Sequence, residues 1–366
     1  MSTASSASAP AIPATSAIVT AQALERFCVD ALTRAGVGAT DALTTARVMV
    51  TTDTWGVFTH GVKCLKGYVW RLRGGGLDPV GRPTVEREGP AWAVMDGRSS
   101  LGMVTSVAAM ERAIAKARTC GLAYVGVHNT CHFGAAGYYA AMAAERGMIG
   151  LAMANDAPSM AVPGAKGRVL GNNPFAFAVP CGTSYALLDI ALSTVAGGKV
   201  MAAHFLGKSI PADWSLDREG NPTTDPKEFI AGGALTPMAA HKGYGFGILV
   251  ESLAAALTGA AMASGVESWL VHDPTKPTGH GAAFIALDIA SMMPIGRFEE
   301  RMAALATEIR SAPKVAGCDR IYLPGEIELE RRERALRAGI VLPADVVASM
   351  RALAAELSMD ISGLFA

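Results

Sequence analysis

Two histidines lie at points in the sequence where catalytic groups are usually found. His132 falls within residues 128–137, which read His-Asn-Thr-Cys-His-Phe-Gly-Ala-Ala-Gly, after a strand-like run (122–127) and before a helix-like run (138–146). We therefore expect His132 on the turn that connects them. An imidazole at such a turn can exchange protons near neutral pH, although a single histidine can also simply cap the turn.

His60 stands in a similar setting. Residues 53–61 read Asp-Thr-Trp-Gly-Val-Phe-Thr-His-Gly and follow a helical stretch that begins at Ala21. Gly61 allows the chain to turn directly after His60. A second histidine at a turn strengthens the interpretation that these imidazoles carry acid–base chemistry.

The composition excludes several classes of function. The chain has 366 residues, a formal net charge of +0 and 17% charged residues, so it carries no electrostatic footprint for nucleic acid or an anionic membrane. The longest apolar span, residues 246–266, contains Glu251, and a carboxylate in hydrocarbon costs on the order of 3 kcal/mol. A buried helix is therefore favoured over a membrane span. The 51% hydrophobic residues leave apolar surface for an oligomer interface.

The cysteines indicate a compartment rather than a site. Neither CxxC spacing nor the spacing of metal ligands occurs, so we expect no zinc site, no other metal and no disulfide framework. A reducing cytoplasm fits this pattern best. The six cysteines are Cys28, Cys64, Cys120, Cys131, Cys181 and Cys318.

Hydrophobic periodicity divides the chain into regions. Residues 1–17 are rich in Ser, Ala and Pro and predict a disordered tail rather than a signal peptide. Helical periodicity then continues to three glycines at 74–76, whereas strand-like and helix-like runs alternate from about 91 to 289. Helices return over 297–310 and 344–357. The chain contains no GxGxxG motif, because Ile248 stands where the third glycine after Gly243 and Gly245 would fall, so a Rossmann phosphate loop is not expected.

Five short motifs occur in the order seen in one protein family. The chain resembles the malate/L-lactate dehydrogenase family, which is separate from the Rossmann-type lactate and malate dehydrogenases and includes ureidoglycolate, sulfolactate and 2,3-diketogulonate oxidoreductases and piperideine-2-carboxylate reductases. The resemblance runs from about Ala21 to Leu342. It rests on Thr59-His60-Gly61, His132-Phe133-Gly134, Gly171-Asn172-Asn173-Pro174, the run from Leu188 to Ser193, and His241-Lys242-Gly243-Tyr244-Gly245.

The resemblance implies an α/β (α+β) fold with a mixed, largely antiparallel sheet. A helical domain would be discontinuous and formed by residues 18–76 together with about 297–366, and residues 77–296 would form the nicotinamide-cofactor domain. The cofactor would be NAD or NADP, which the sequence does not separate. Its binding residues would be Asp156, Asp189, Ile190, Ala191, Leu192, Ser193, Lys242, Gly243, Gly281, Pro324, Gly325 and Glu326.

The resemblance also implies roles around the histidines. His132 is favoured as the catalytic base in alcohol oxidation and His60 as a substrate hydrogen-bond donor, and the exchanged assignment stays open. Substrate contacts are expected from Thr59, Tyr68 and Asn172. Many relatives carry arginine at the position of Cys64, where it can hold a carboxylate bidentately, and an uncharged thiol cannot do so. Lys63 is a candidate replacement.

These expectations define a hydride-transferring enzyme that acts on a small 2-hydroxy or 2-oxo acid resembling malate, lactate or sulfolactate. A reductase of cyclic imino acids is the main alternative within the same class. A non-catalytic oligomeric binding protein on the same scaffold is the alternative from another class, which the missing arginine suggests. The expected partners are the small-molecule substrate and a second copy of the chain, and the protein is expected in the cytoplasm.

Overall fold

The structure is a computed structural model that describes residues 16–365. Residues 1–15 of the predicted tail lie outside the described residues, and Ala17, its last residue, is the first residue of a strand. The strands within the described part are β1 (Ala17–Val19), β2 (Thr84–Gly89), β3 (Trp92–Asp96), β4 (Leu122–Thr130), β5 (Met148–Ala154), β6 (Phe175–Cys181), β7 (Ser184–Ile190), β8 (Ser215–Leu216), β9 (Pro222–Thr223), β10 (Ala234–Leu235), β11 (His280–Asp288) and β12 (Ile340–Leu342).

The helices surround these strands. A π-helical turn, Glu251–Ala256, continues the eighth helix. The α-helices of residues 16–365 are α1 (Ala21–Arg34), α2 (Ala39–Thr54), α3 (Leu65–Gly74), α4 (Gly102–Cys120), α5 (Ala136–Ala144), α6 (Gly197–Phe205), α7 (Pro226–Ile230), α8 (His241–Val250), α9 (Ile295–Arg310), α10 (Glu326–Ala338) and α11 (Ala344–Glu356).

A seven-stranded sheet forms the centre of the protein, in the order β2-β3-β4-β11-β5-β6-β7. Only the β3–β4 pair within it is parallel, and α4 connects those two strands. The other neighbouring pairs are antiparallel. This mixed sheet confirms the predicted fold class, and the arrangement is not that of a Rossmann fold.

Helices cover both faces of the sheet. Val125 and Val127 of β4 belong to the main core, into which α4 and α5 also place side chains, whereas Tyr124 packs on the opposite face with Val250 and Ala254. Small residues allow these layers to approach closely. A Cβ at Gly150 of β5 would fall 2.3 Å from the Ala140 carbonyl oxygen of α5, so the abundance of glycine and alanine reflects tight helix–sheet packing.

The first helices follow from local sequence signals. Thr20 caps α1 by accepting a hydrogen bond from the Ala23 amide at 3.2 Å. Leu24, Phe27 and Ala31 are buried along one face of α1, as the helical spacing predicts. Helix α3 ends at Gly75, whose φ of 90° is the left-handed conformation that glycine adopts most readily.

The first and last strands of residues 16–365 pair with each other. Strand β1 pairs antiparallel with β12, in the register Ala17 opposite Leu342. Helix α11 lies against α3, and α10 lies against α2, whereas α9 packs against β6 of the large sheet. The division of the chain into two domains remains a prediction.

Candidate active site

Five strand ends meet at one edge of the large sheet. Strands β4, β5 and β7 finish there, and β6 and β11 begin there, because Thr130 lies opposite His280, Ala282 opposite Ala154, and Phe175 opposite Ile190. The segments leaving this edge carry most of the predicted site residues. They include His132, Asp156, Asn172 and Gly281, together with the run from Asp189 to Ser193.

The two predicted catalytic histidines lie side by side. Their ring centroids are 5.6 Å apart, with planes inclined by 29°. The Nδ1 atom of His132 lies 2.7 Å from the Tyr68 hydroxyl, and Nδ1 of His60 lies 2.9 Å from the Thr59 hydroxyl. Neither Nε2 atom is hydrogen bonded to any residue of the described chain. Each imidazole is thus held through one nitrogen, while the other is available to a substrate.

The surroundings of the histidines favour neutral imidazoles. Burial lowers the pKa of His132 to about 3; the neighbouring His60 and His280 add to this effect, and the Asp156 carboxylate opposes it. Burial also lowers the pKa of His60, again against the pull of Asp156. A neutral imidazole can accept a proton at neutral pH, as a general base must.

Asp156 supplies a negative charge beside these rings. Its Oδ1 atom lies 3.2 Å from Nε2 of His280, which is only 2% exposed. Burial alone raises the pKa of Asp156, but the hydrogen bond and charge of His280, together with His132 and the Ala157 amide, lower it overall. Asp156 is therefore a carboxylate at neutral pH.

A buried polar network fixes the turn that carries Asp156. The Asn173 side chain accepts a hydrogen bond from the Asp156 amide at 3.1 Å and donates to Glu251 at 3.1 Å. Asn155 accepts from the Gly281 amide at 2.8 Å and donates to the Ala261 carbonyl at 2.7 Å. Asn155, Asn173 and Glu251 were not predicted as site residues, although Glu251 interrupts an apolar run and Asn173 belongs to a recognised motif.

Asn172 and Gly281 contribute through the backbone. The Asn172 carbonyl accepts a hydrogen bond from the Leu192 amide at 2.8 Å, and the Asn172 side chain is half-buried with no hydrogen-bond partner in the described chain. A Cβ at Gly281 would fall 1.9 Å from the Ala254 carbonyl oxygen. Gly281 is therefore required for the close approach of the π-helical turn to β11.

The end of β7 offers backbone rather than free side chains. Asp189 accepts a hydrogen bond from the Gly137 amide at 2.8 Å, in the first turn of α5. Leu192 and Ser193 are buried, and the Ser193 hydroxyl donates to the Val195 carbonyl at 2.8 Å. Ile190 and Ala191, which lie between Asp189 and Leu192, are partly exposed.

A cation stands at the start of α8, next to this strand end. Lys242 is exposed and forms no ion pair with any residue between 16 and 365. Gly243 follows it, and a Cβ there would lie 2.5 Å from the Leu192 carbonyl oxygen. A cavity of about 790 Å³ opens beside this turn and is lined by residues that include Thr194, Ala239 and Ala240. A helix start with an unpaired lysine suits an anionic group such as a phosphate.

The predicted turn Pro324-Gly325-Glu326 lies along the middle of β7. The Pro324 carbonyl accepts a hydrogen bond from the Leu187 amide at 2.9 Å. Glu326 accepts from the Leu323 amide at 2.7 Å and is ion-paired with Arg310 and Arg320. Its carboxylate is therefore already committed to contacts within the chain.

Lys63 and Cys64 are also engaged in the fold. Lys63 forms an ion pair with Asp345 of α11, with 2.6 Å between Nζ and Oδ2. The Cys64 thiol donates to the Thr59 carbonyl at 3.1 Å, and burial, helped by Asp53, raises its pKa to about 12. Position 64 is thus uncharged at neutral pH.

Trp269 completes the cluster around His132 and was not predicted. Its ring centroid lies 4.2 Å from that of His132, with an interplanar angle of 11°. Trp269 belongs to an irregular segment far from His132 in sequence, and no motif or periodicity marks it.

Comparison with known proteins shows which family this chain resembles. Residues 19–351 match the family model described as malate/L-lactate dehydrogenase. The chain is 37% identical to a malate dehydrogenase of Pyrococcus horikoshii over 343 residues, which cover 91% of this chain and 94% of that one. It is 34% identical over 289 residues to a Delta(1)-pyrroline-2-carboxylate/Delta(1)-piperideine-2-carboxylate reductase of Pseudomonas putida, covering 78% of this chain and 82% of the reductase.

Further relatives include L-sulfolactate and ureidoglycolate dehydrogenases. The solved structure of the malate dehydrogenase from Pyrococcus horikoshii OT3 superimposes with a TM-score of 0.87 at 34% identity, covering 96% of this chain and 99% of that one. The fold, the ordered motifs and these matches agree. The chain therefore belongs to the malate/L-lactate dehydrogenase family.

Proposed function

We propose that this protein is an NAD(P)-dependent oxidoreductase that transfers hydride between nicotinamide and C2 of a small 2-hydroxy or 2-oxo acid. The observation that carries this proposal is the histidine pair. His60 and His132 lie with ring centroids 5.6 Å apart, and each is held through Nδ1 with Nε2 unpaired. Two such nitrogens can bind one hydroxyl or carbonyl oxygen and move its proton.

His132 is the proposed base. When Nδ1–H donates to the Tyr68 hydroxyl, Nε2 carries the lone pair and can take the proton of a substrate hydroxyl. In the reverse direction the same Nε2–H protonates the carbonyl oxygen. His60, fixed by Thr59, then hydrogen bonds the substrate oxygen. The exchanged assignment predicts that substitution of His60, rather than His132, removes most of the turnover.

The nicotinamide cofactor supplies the hydride acceptor or donor when it is bound. Its phosphates would lie at the α8 start, where Lys242 is exposed and unpaired. The backbone from Asp189 to Ser193 would hold the adenosine half, with Asp156 and Gly281 closer to the histidines. Pro324 and Gly325 would border the cofactor along β7, and Glu326 would act by holding that turn.

The substrate is proposed to carry one carboxylate. Lys63 is paired with Asp345 and Cys64 is neutral, so neither offers a free cation for a second anionic group. Asp156 also disfavours a second negative charge near the histidines.

The same charge pattern favours one second candidate, a cyclic imino acid reductase. A protonated C=N substrate carries a positive charge that the Asp156 carboxylate would stabilise. The Pseudomonas putida relative is such a reductase.

A non-catalytic binding protein on this scaffold remains the alternative from another class. The paired histidines with matched hydroxyl partners support an enzyme instead, because binding alone does not require them. The test is an assay of NADH and NADPH oxidation, measured as the loss of their absorbance. The substrates tested are pyruvate, oxaloacetate, sulfopyruvate, 2,3-diketogulonate and cyclic imino acids.

Turnover with one acid and one nucleotide would support the proposal and identify the cofactor. Turnover confined to the imino acids would favour the second candidate. Failure to bind either nucleotide would contradict both.

We also propose a homodimer in the cytoplasm. Large apolar side chains of α8 are exposed, among them Phe246, Ile248 and Leu249 at 43–45%, and a second copy would cover them. The free cysteines support a reducing compartment. No helix within residues 16–365 has the length and apolarity to cross a membrane. Light scattering that gives a stable, active monomer would contradict the dimer.

A further inference from the structure

Trp269 covers one side of the His132 imidazole. The two rings are stacked with 4.2 Å between centroids, and the indole also stacks on Tyr68 at 5.0 Å with an interplanar angle of 17°. Trp269 is 6% exposed. The indole therefore contacts both His132 and the tyrosine that holds Nδ1 of His132.

A buried arginine holds the segment that carries this tryptophan. Arg71 of α3 is 0% exposed, and its guanidinium donates to the backbone carbonyls of Ser268 at 2.8 Å, Trp269 at 2.7 Å and Lys276 at 3.0 Å. Longer contacts reach the carbonyls of residues 272 and 273. No carboxylate of residues 16–365 pairs with Arg71. Five donors in a rigid fork thus fix residues 268–276 on α3.

The surface of α3 is shaped for this segment. A Cβ at Gly67 would fall 2.8 Å from the Trp269 ring, and a Cβ at Gly74 would fall 2.7 Å from the Pro274 carbonyl oxygen. A Cβ at Gly76 would lie 2.4 Å from the same oxygen. These glycines let the segment pack directly on α3 and on the turn that follows it, which is evidence independent of the arginine contacts.

We infer that Trp269 is a positioning residue for the proposed reaction: it shields His132 from water and keeps it oriented toward Tyr68. Arg71 holds Trp269 in place, and Gly67 leaves the space that the indole occupies. This inference rests on the proposed role of His132 as base. The indole contacts the rings of His132 and Tyr68, so it acts on the reaction through His132.

The charges around His132 do not by themselves explain why its imidazole is neutral. His60 and His280 disfavour a positive charge on the ring, whereas Asp156 favours one, and Tyr68 and Cys131 are neutral at pH 7. Burial is the largest cause of the lowered pKa. Removal of Trp269 hydrates one face of the ring, so the pKa of His132 should rise toward the ordinary value of about 6.5.

Histidine NMR on the full chain tests this directly. The protein is labelled with ¹⁵N-histidine, and the His132 signals are assigned as those that are missing from the spectrum of the His132→Asn variant. In the wild-type protein they should not titrate between about pH 5 and 8, whereas in Trp269→Ala they should titrate within that range. Trp269→Phe retains a stacking ring and should restore the wild-type behaviour. Trp92→Ala, which removes a half-exposed indole of β3, serves as the matched control.

Gly67→Ala provides a second variant that leaves Trp269 in the sequence. The added methyl group must displace the indole, so His132 should shift in the same direction as in Trp269→Ala, by a smaller amount. Gly296→Ala in α9 is its control, because a Cβ there meets nothing within 4 Å. In both site variants kcat for alcohol oxidation should fall more at low pH than at high pH, because a protonated His132 cannot act as the base, while KM changes little.

The inference is overturned if His132 remains non-titrating in folded Trp269→Ala, or if Trp269→Phe behaves like Trp269→Ala. Absence of wild-type turnover with every acid would instead contradict the proposed function. The NMR outcome would still decide whether Trp269 controls the protonation of His132.

Discussion

The cluster around His132 and the turn before α8 have opposite characters. In the cluster, His60, His132, Tyr68 and Trp269 contact one another through rings and hydrogen bonds. At the turn, Lys242 is exposed and unpaired. Ala240 has φ 54° and ψ −112°, a conformation in which glycine is favoured.

This difference indicates how the two proposed tasks are distributed. Proton transfer needs fixed distances and a controlled pKa, which buried packing supplies. Phosphate binding needs a positive charge that a ligand can reach, which the exposed Lys242 at the helix start supplies. The backbone at Ala239 and Ala240 carries strain, at φ 46° and 54°, and such strain costs on the order of 1–3 kcal/mol per residue.

The largest expected effect is that of His132→Asn in the cluster. Asparagine keeps a polar side chain but cannot accept the substrate proton, so kcat should fall by about 10²–10⁴-fold. The Kd for the nucleotide should remain close to wild type. His128→Asn is the control, since His128 does not belong to the cluster and is hydrogen bonded to Glu86 at 2.9 Å. If turnover is retained in His132→Asn and lost in His60→Asn, the exchanged assignment is correct.

Tyr68→Phe removes the hydroxyl that lies 2.7 Å from Nδ1 of His132. Loss of this hydrogen bond leaves the imidazole less well oriented, so kcat should fall about tenfold, corresponding to roughly 1.4 kcal/mol. Steady-state kinetics measures the effect. Tyr124→Phe is the control, because its hydroxyl donates to the Leu253 carbonyl at 2.6 Å on the other face of the sheet. Equal kcat in the two variants would argue against an orienting role for Tyr68.

Lys242→Ala tests the exposed turn. Removing this cation should raise the nucleotide Kd by about three- to tenfold and reduce its dependence on salt, with kcat nearly unchanged. Fluorescence titration at two ionic strengths provides the measurement. Lys166→Ala is the comparison, because Lys166 lines the cavity beside this turn but is paired with Glu219 at 2.8 Å. Similar losses in both variants would mean that the helix start has no special role.

Ala240→Gly should produce the smallest change. Glycine relieves the unfavourable conformation, so the free energy of unfolding should rise by about 1 kcal/mol, measured by urea denaturation. Ala303→Gly in the exposed part of α9 should instead lose about 1 kcal/mol, the ordinary cost of glycine in a helix. A loss in both variants would show that Ala240 is not strained in solution.

Local sequence signals predicted the elements that bury a regular face. The strand-like run 122–127 corresponds to β4, and the alternating runs from about 91 to 289 include β5, β6, β7 and β11. Apolar and β-branched residues mark these buried strands, and the turn at His132 follows from them. Helix α10 was missed. It has no buried residue, so it lacks the apolar periodicity on which such a prediction depends.

Contacts between distant segments were not predictable in this way. Lys63 was expected to meet a substrate, and its partner Asp345 is 282 residues away. Trp269 lies against His132, and the segment that carries it is bound by Arg71, which is 198 residues away in the sequence. The short strands β8, β9 and β10 are also not predicted, since a strand of two residues has no measurable alternation.

The position of β11 has a consequence for biosynthesis. This strand lies between β4 and β5, yet it is made long after both of them. Until residue 288 has left the ribosome, the sheet consists of two unjoined parts, and loop closure over such a separation slows folding. The growing chain therefore leaves the facing edges of β4 and β5 unpaired from the synthesis of residue 154 until that of residue 288, and unpaired strand edges are the places where chains pair with one another and aggregate.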